Sequence, residues 1–352
     1  MAQAETQEPG EEPVAVFDVV HAHLLRYFPD LVDSLGGDAR YLMQEAGLSP
    51  DLLAYGKVGA SYRQMIQLIE QAALALDCPD FGMRLATLQG GITIFGPLGL
   101  VMQNSTTFGQ ALDYVISHSF AHSLATRIWL QPCPEEQSIF VGHDILFDRL
   151  PNRSQTMEQL MLVGHLAAME ITGGHVRVRR VHFRHQPISP LKTYRRYFGC
   201  EVRFGQNENG VFYSEQDWSC PIVAPDSGTY QAITSFIDTH FTRQPPPLHA
   251  QVRGVIMQFL GGEHCTNERI SAELKLHPRT LHRRLKEEGT SFQLIKDEVR
   301  RDVMLYYLQQ TNLDFALISE RLGFSEQSVM TRSCNRWFAT SPSGLRAQAR
   351  PR

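Results

Sequence analysis

Several things this 352-residue sequence lacks narrow its function before anything positive is read from it. Its six cysteines, Cys78, Cys133, Cys200, Cys220, Cys265 and Cys334, lie far apart with no C-x-x-C pair. That argues against a zinc site or a disulfide scaffold and fits a reduced cytoplasm, the expected location. No run of roughly 18 apolar residues is present, so nothing is expected to span a membrane. The opening MAQAETQEPGEEP has neither the basic start nor the apolar core of a signal peptide, and residues 1–14 read as a disordered tail. The glycine-rich GGITIFGPLG (90–99) lacks the Lys-Ser/Thr ending of a phosphate loop and matches no dinucleotide fingerprint; it reads as a structural turn beside a pocket. His118 and His122 have metal-ligand spacing but no third ligand, and His182 and His185 fare no better, so neither metal nor cofactor is expected. No Ser/His/Asp or paired-carboxylate arrangement stands out, so no catalytic residue is assigned and the chain is not expected to be an enzyme.

What is present is a globular composition with a lopsided charge. With 43% hydrophobic residues the chain can bury ample core, and its length suits two domains or three. From residue 245 onward there are 16 Lys and Arg against 11 Asp and Glu; before it there are 17 against 26. A basic module behind an acidic one suggests a polyanion partner for the basic end. The boundary is Arg243-Gln244-Pro245-Pro246-Pro247, because consecutive prolines cannot continue a helix. Residues 15–225 form the expected front domain, 226–247 a linker helix and Pro-rich hinge, and 248–352 the back domain.

The front domain reads as α/β. Helical patterns fall around 16–34, 38–46, 60–76, 107–122 and 154–171. Short β-rich runs cover 126–130, 138–142, 176–183, 201–204 and 210–213. Tyr194, Tyr197, Phe198, Phe204 and Phe212 read as core. Amphipathic helices follow over 229–241, with Ile233, Phe236, Ile237 and Phe241 on one face, and over 248–260, which Gly261-Gly262 ends.

The back domain reads as all-α and repeats one plan. Thr266 is a plausible N-cap for a short helix over 267–274; a turn at Lys275-Leu276-His277 follows, and Pro278 opens a second helix that Gly289 closes. This second helix carries Arg279, His282, Arg283, Arg284 and Lys286 around an apolar side at Leu281 and Leu285. Cations on a short helix suit the major groove, where guanidinium groups fork onto guanine edges or clamp phosphates. The second copy has a helix over 314–322, a turn at Gly323-Phe324, an expected N-cap at Ser325 and a helix over 326–338. In that helix Met330, Cys334 and Trp337 are spaced to face inward, and Ser341-Pro342 ends it. The 20 residues between the copies (291–310) have a helical pattern about 30 Å long, close to the roughly 34 Å turn of duplex DNA.

Residues 270–346 resemble the DNA-binding domain of AraC/XylS regulators, through RTLHRRLKEEGTSF (279–292), DEVRRD (297–302), ISERLGFSEQSVMTR (318–332) and RWFATSPSGLR (336–346). The front half resembles the subgroup with an arabinose-binding-type domain found in ornithine-utilisation regulators, through DFGMRLA (80–86), FGPLGLVMQNSTTFGQAL (95–112) and YFGCEVRF (197–204). The resemblance implies a sequence-specific DNA-binding transcription regulator, an effector-responsive activator of promoter DNA. RNA polymerase, a small-molecule effector and a second copy of the chain are its implied partners. The implied DNA contacts are Arg279, Thr280, His282, Arg283 and Lys286 in the first unit, and Glu326, Gln327, Ser328, Thr331, Arg332 and Arg336 in the second. Arg284, Lys286 and Arg336 fit phosphate or water better than bases. Arg300 and Arg301 fit the surface of the connecting helix, and Arg346 fits a cap on the final turns. A front domain that only dimerises or binds a protein partner is the alternative reading. The minor alternative is an enzyme fused to the DNA-binding domain; alkylation-repair fusions carry a reactive Pro-Cys-His-Arg, whereas the only Pro-Cys here is Pro132-Cys133-Pro134.

The chain departs from the family pattern at Lys275 and Ala339, where Gly is usual, at His277, where Ser is usual, and at Met330 and Cys334, where phenylalanines are common. Each departure costs local stability on the order of 1 kcal/mol.

Overall fold

The computed structural model describes residues 18–52, 59–119, 122–123, 125–145, 152–206, 208–240, 247–261 and 265–348; the expected tail over 1–14 and most of the expected hinge lie outside them. The front half mixes helices with strands and the back half is helical throughout, as the periodicities predict.

A small antiparallel ribbon, β1 (Val19–His21) with β2 (Gly59–Ser61), opens the front half. Asp18 pins it, accepting from Ser61 Oγ at 2.6 Å and from the Arg63 N–H at 2.9 Å. Two expected helices are shortened as a result. The pattern over 16–34 survives only as α1 (Phe28–Ser34), because Tyr27 takes a left-handed φ of 63° and Pro29 sits in the first turn. The pattern over 60–76 starts as strand before α3 (Tyr62–Ala75), which Ser61 caps by accepting from the Gln64 N–H. Between them lies α2 (Ala39–Glu45), capped by Asp38. Next come α4 (Phe81–Gln89), α5 (Pro97–Asn104) and α6 (Phe108–Ser117), the last stopping five residues short of the expected 122.

The main sheet has five strands: β3 (Thr126–Cys133), β4 (Ser138–Ile145), β5 (Arg180–His182), β6 (Glu201–Arg203) and β7 (Gly210–Ser214), in the order β3-β4-β7-β5-β6. Neighbours are antiparallel except β5 with β6. Only three residues of the run expected over 176–183 pair in the sheet. Upstream of them, the Val176 N–H donates to Thr172 Oγ1 and the Val178 N–H to His165 Nδ1. The alternating valines are nonetheless buried, which is the pattern the sequence displays.

Helix α7 (Ser154–Ile171) runs through the centre of the front half and is buried on almost every side. Glu70 caps its start, accepting from the N–H groups of Gln155 at 2.8 Å and Thr156 at 3.3 Å. Burial pushes the Glu70 carboxyl up to about 7 despite these bonds. Helices α8 (Leu191–Phe198) and α9 (Ser227–His240) complete this half. Tyr194 and Phe198 are buried as expected, and α9 packs on α5 with Ile237 in the front core. Phe236, placed on the same face by periodicity, is 44% exposed instead.

A separate core holds the back half, formed by α10 (Leu248–Phe259), α11 (Asn267–Glu273), α12 (Pro278–Glu287), α13 (Phe292–Gln310), α14 (Phe315–Arg321), α15 (Gln327–Phe338) and α16 (Pro342–Gln348). Val252, Ile256, Ile270, Leu281, Leu285, Val299, Ile318, Met330 and Cys334 are each 0% exposed at its centre.

Candidate nucleic-acid interface and front-domain cavity

The first helix-turn-helix unit is α11 and α12. Thr266 caps α11 by accepting from the Arg269 N–H at 3.2 Å. Lys275 then takes a left-handed φ of 54°, a turn that glycine would make without strain. His277 replaces a serine cap in function as well as in position, its Nδ1 accepting from the Arg279 N–H at 3.2 Å. Helix α12 buries Leu281 and Leu285 and turns Arg279, His282, Arg283, Arg284 and Lys286 outward, with Thr280 half-buried. Arg283 pairs with Glu287 at 2.6 Å on the exposed face.

The second unit is α14 and α15. Asp314 caps α14, accepting from the Leu317 N–H at 2.8 Å. The cap of α15 is Glu326 rather than the expected Ser325; Glu326 has extended φ and ψ of −149° and 150°, and its carboxylate accepts from Ser328 Oγ. Gln327, Ser328 and Arg332 are exposed, Thr331 is half-buried, and Met330 and Cys334 face inward. Trp337 is half-buried against the same core, and Ala339 ends the helix at a left-handed φ of 54°.

Helix α13 joins the units. Its 19 residues span about 28 Å at 1.5 Å each. Arg300 on this helix donates Nε–H to the Leu322 carbonyl at 2.9 Å and lies 4.5 Å over Phe324, which fixes the second turn against α13. Asp297 pairs with Arg336 at 3.3 Å, and Arg301 with Asp302 at 3.2 Å. Arg346 donates to the Leu313 carbonyl and covers Phe315 at 4.4 Å, so it ties α16 to the start of the second unit.

The front half contains a cavity of about 100 Å³ between α5, α6, α7 and one face of the main sheet. Phe95 and Leu98 from the glycine-rich turn, Met102, Phe108, Leu112, Leu160, Met161, Val141 and Val211 contribute to its walls. His143 and Tyr213 face it from β4 and β7, and Ser119 and His122 from the end of α6 onward. His143 Nε2 is buried without a hydrogen-bond partner, and burial pushes the imidazole down to about 4. His118 turns elsewhere, stacked on Tyr114 at 3.9 Å. Among the described residues no group of three or more His, Cys, Asp or Glu side chains could hold a metal ion. No helix among them is long and apolar enough to cross a membrane.

Gly164 lies in the middle of α7 and lines the cavity; a Cβ built there meets no atom within 4 Å. A mid-helix glycine costs roughly 0.5–1 kcal/mol relative to alanine, and no close approach of another chain segment requires it here.

Asp144 follows His143 on β4, and strand alternation sends it to the other face of the sheet. There it accepts from Arg184 Nη1 at 2.7 Å, with both side chains buried. The same guanidinium nitrogen donates to the Tyr306 hydroxyl of α13. Arg184 and Arg153 stack on the Tyr306 ring at 4.7 and 4.5 Å. Burial works against the Arg184 charge, yet Asp144 and the Tyr306 and Tyr307 phenols hold its proton more firmly than usual. Glu208 and Arg321 add an ion pair at 3.5 Å between the halves. Sequence reasoning missed this junction and His143, because nothing in VGHD or FRH announces which residues meet across a fold.

Two helix-turn-helix units fixed to one connecting helix, behind an α/β domain with an internal cavity, define a DNA-binding transcription regulator. The family model described as the arabinose-binding domain of AraC transcription regulators matches residues 36–222, and a helix-turn-helix domain model matches residues 270–348. The chain belongs to the AraC family of transcription regulators. It is similar to the HTH-type transcriptional regulator VirS of Mycobacterium tuberculosis, with 30% identity over 329 residues that cover 94% of this chain and 96% of that one. The ornithine utilization regulator of Pseudomonas aeruginosa is 24% identical over 330 residues, covering 90% and 93%. Among solved structures, the transcriptional regulator CdpR of Pseudomonas aeruginosa aligns over 88% of this chain and 96% of its own, at 19% identity and a TM-score of 0.43.

Proposed function

We propose that this regulator is an effector-responsive activator, in which filling the front cavity changes how the two recognition helices sit on promoter DNA. The observation that carries this reading is the placement of His143 and Asp144. Adjacent on one strand, they put the cavity wall and the Arg184–Tyr306 junction on opposite faces of the same sheet. A ligand that moves β4 has a short physical route to α13, and it acts only through different affinities for two protein states. Activation through RNA polymerase, and binding as a homodimer, follow the family pattern.

In this reading α12 and α15 enter successive major grooves. Arg279, Thr280, His282 and Arg283 read or position the first part of the site, and Glu326, Gln327, Ser328, Thr331 and Arg332 the second. Lys286, Arg284 and Arg336 serve phosphates; the Arg336 pair with Asp297 sets its guanidinium beside α13. Arg283 must exchange Glu287 for a guanine edge, which favours sites where a bidentate bond is on offer.

Genome-wide mapping of bound sites, followed by site selection and salt titration on Arg283→Ala and Arg332→Ala, tests the assignment. A base-reading arginine costs roughly 1–3 kcal/mol when removed and relaxes preference at one position, the two positions lying about one helical turn apart. A phosphate-binding arginine instead weakens all sequences alike and lowers the salt slope by about one. If neither variant changes affinity or preference, the helices are not in the grooves.

A further inference from the structure

We infer that the front-domain cavity takes a compact, uncharged, largely apolar molecule carrying one hydroxyl or carbonyl for His143, and that it does not take a sugar. This rests on the effector-responsive reading above and names the chemistry of its ligand.

Charge is the first discriminator. No Asp, Glu, Lys or Arg lines the cavity among the described residues, so a carboxylate or ammonium would be buried unpaired. Polarity is the second. Apart from Ser119, His122, Thr126, His143 and Tyr213, the wall is aliphatic, aromatic, methionine or glycine. A pentose carries hydroxyls around its whole ring, and those facing α7 and α5 would be stripped of water without receiving partners. Size is the third. The cavity, about 100 Å³, is of the order of the roughly 150 Å³ apolar cavity that accepts benzene, so a single small ring comes near to filling it.

Two local features point the same way. His143 lines this wall and its Nε2 is buried without a partner, as is Oγ1 of Thr126 on the neighbouring strand; a ligand group at hydrogen-bond distance resolves the imidazole. Because burial keeps the imidazole neutral at ordinary pH, it suits a hydroxyl or carbonyl rather than an anion. Gly164 supplies the second feature: it gives up helix propensity and leaves open space at the cavity wall, where a larger residue would fill it.

Saturation-transfer NMR on the purified full-length protein tests the assignment, with phenol, cyclohexanol, toluene and L-arabinose as probes. Phenol and cyclohexanol are expected to bind saturably and arabinose to give no transfer. Gly164→Leu, which fills the cavity, should weaken phenol at least about tenfold. His143→Phe should weaken phenol by a similar factor while toluene binding persists, and it keeps the test decisive if Gly164→Leu fails to fold. Arabinose binding that Gly164→Leu abolishes would overturn the ligand class and leave the effector reading standing. Lack of binding by all three apolar probes overturns the ligand class as well. The affinity for a mapped promoter fragment separates the two readings: if phenol binds as expected but neither phenol nor Gly164→Leu changes that affinity, the ligand class stands and the effector-responsive reading fails.

Discussion

The front half of the molecule buries Glu70, Asp80, Asp144, Arg153, Glu158, His165 and Arg184, whereas the buried polar residues described in the back half are Ser271, Thr311 and Ser319. Among the described residues the back half buries no Asp, Glu, Lys, Arg or His, carries such groups on the exposed sides of α12 and α15, and closes a largely apolar core beneath them. The front half threads charge through its interior and keeps a cavity beside it. Burying charge is costly unless it is paired, and replacing a buried pair by apolar residues is often neutral or stabilising. The difference therefore separates a part shaped for stable display from a part whose interior is held in balance.

The largest test of that contrast is Asp144→Ala. It leaves Arg184 charged and buried, and is expected to cost about 3–5 kcal/mol in denaturant unfolding of the full chain. Arg184→Leu added to it should recover most of the loss, which a simple packing defect would not allow. Leu281→Ala probes the other half, where the expected cost is about 2–5 kcal/mol from lost burial and a cavity. Its effect should stay in the unfolding of the back domain, and a loss shared equally by both halves would break the distinction.

Glu70→Gln comes next and depends on pH. Folded Glu70 keeps its proton up to about pH 7, while the unfolded chain releases it near 4.5. Between those values the folded state holds the extra proton, so stability falls as pH rises, by up to about 3 kcal/mol. Glutamine can still accept from the start of α7 and carries no such cost, so the variant should match wild type near pH 4.5 and exceed it near pH 8. His143 and His165, lowered by burial, act in the opposite sense, which makes the difference between variant and wild type the quantity to measure. A constant difference across pH would show that Glu70 is not held neutral. The smallest effect is Gly164→Ala, expected to stabilise the front domain by roughly 0.5–1 kcal/mol in thermal unfolding; a loss instead would mean that the open space at the glycine is filled in solution.

Legibility in the sequence also divides by half. In the back domain local signals suffice: Thr266, Pro278, Gly289 and Asp314 mark element ends that the fold honours, and apolar spacing placed Leu281, Leu285, Met330 and Cys334 correctly. The cap expected at Ser325 lies one residue on, at Glu326, and the helix expected over 314–322 runs over Phe315–Arg321 with Asp314 as its cap. In the front domain the strands were visible as β-rich runs, but Val19–His21 and Gly59–Ser61 were hidden within helical patterns, because pairing through Asp18 and Ser61 is a long-range fact. The cavity was legible only as a glycine-rich turn beside a pocket. Its other walls come from α6, α7 and three strands, which no spacing rule brings together.

Tyr306 stands near the end of α13, the helix that also sets the distance between the two recognition helices. Under the effector-responsive reading proposed above, a hold on that helix acts on both units together, so the front domain would set the pitch at which the protein matches the duplex more than the grip of either unit alone. The regulated quantity is then a phase. Lengthening the spacer between half-sites by one or two base pairs rotates one groove against the other by about 34° per base pair at 10–10.5 base pairs per turn. Such promoters should lose binding in one effector state and lose less in the other.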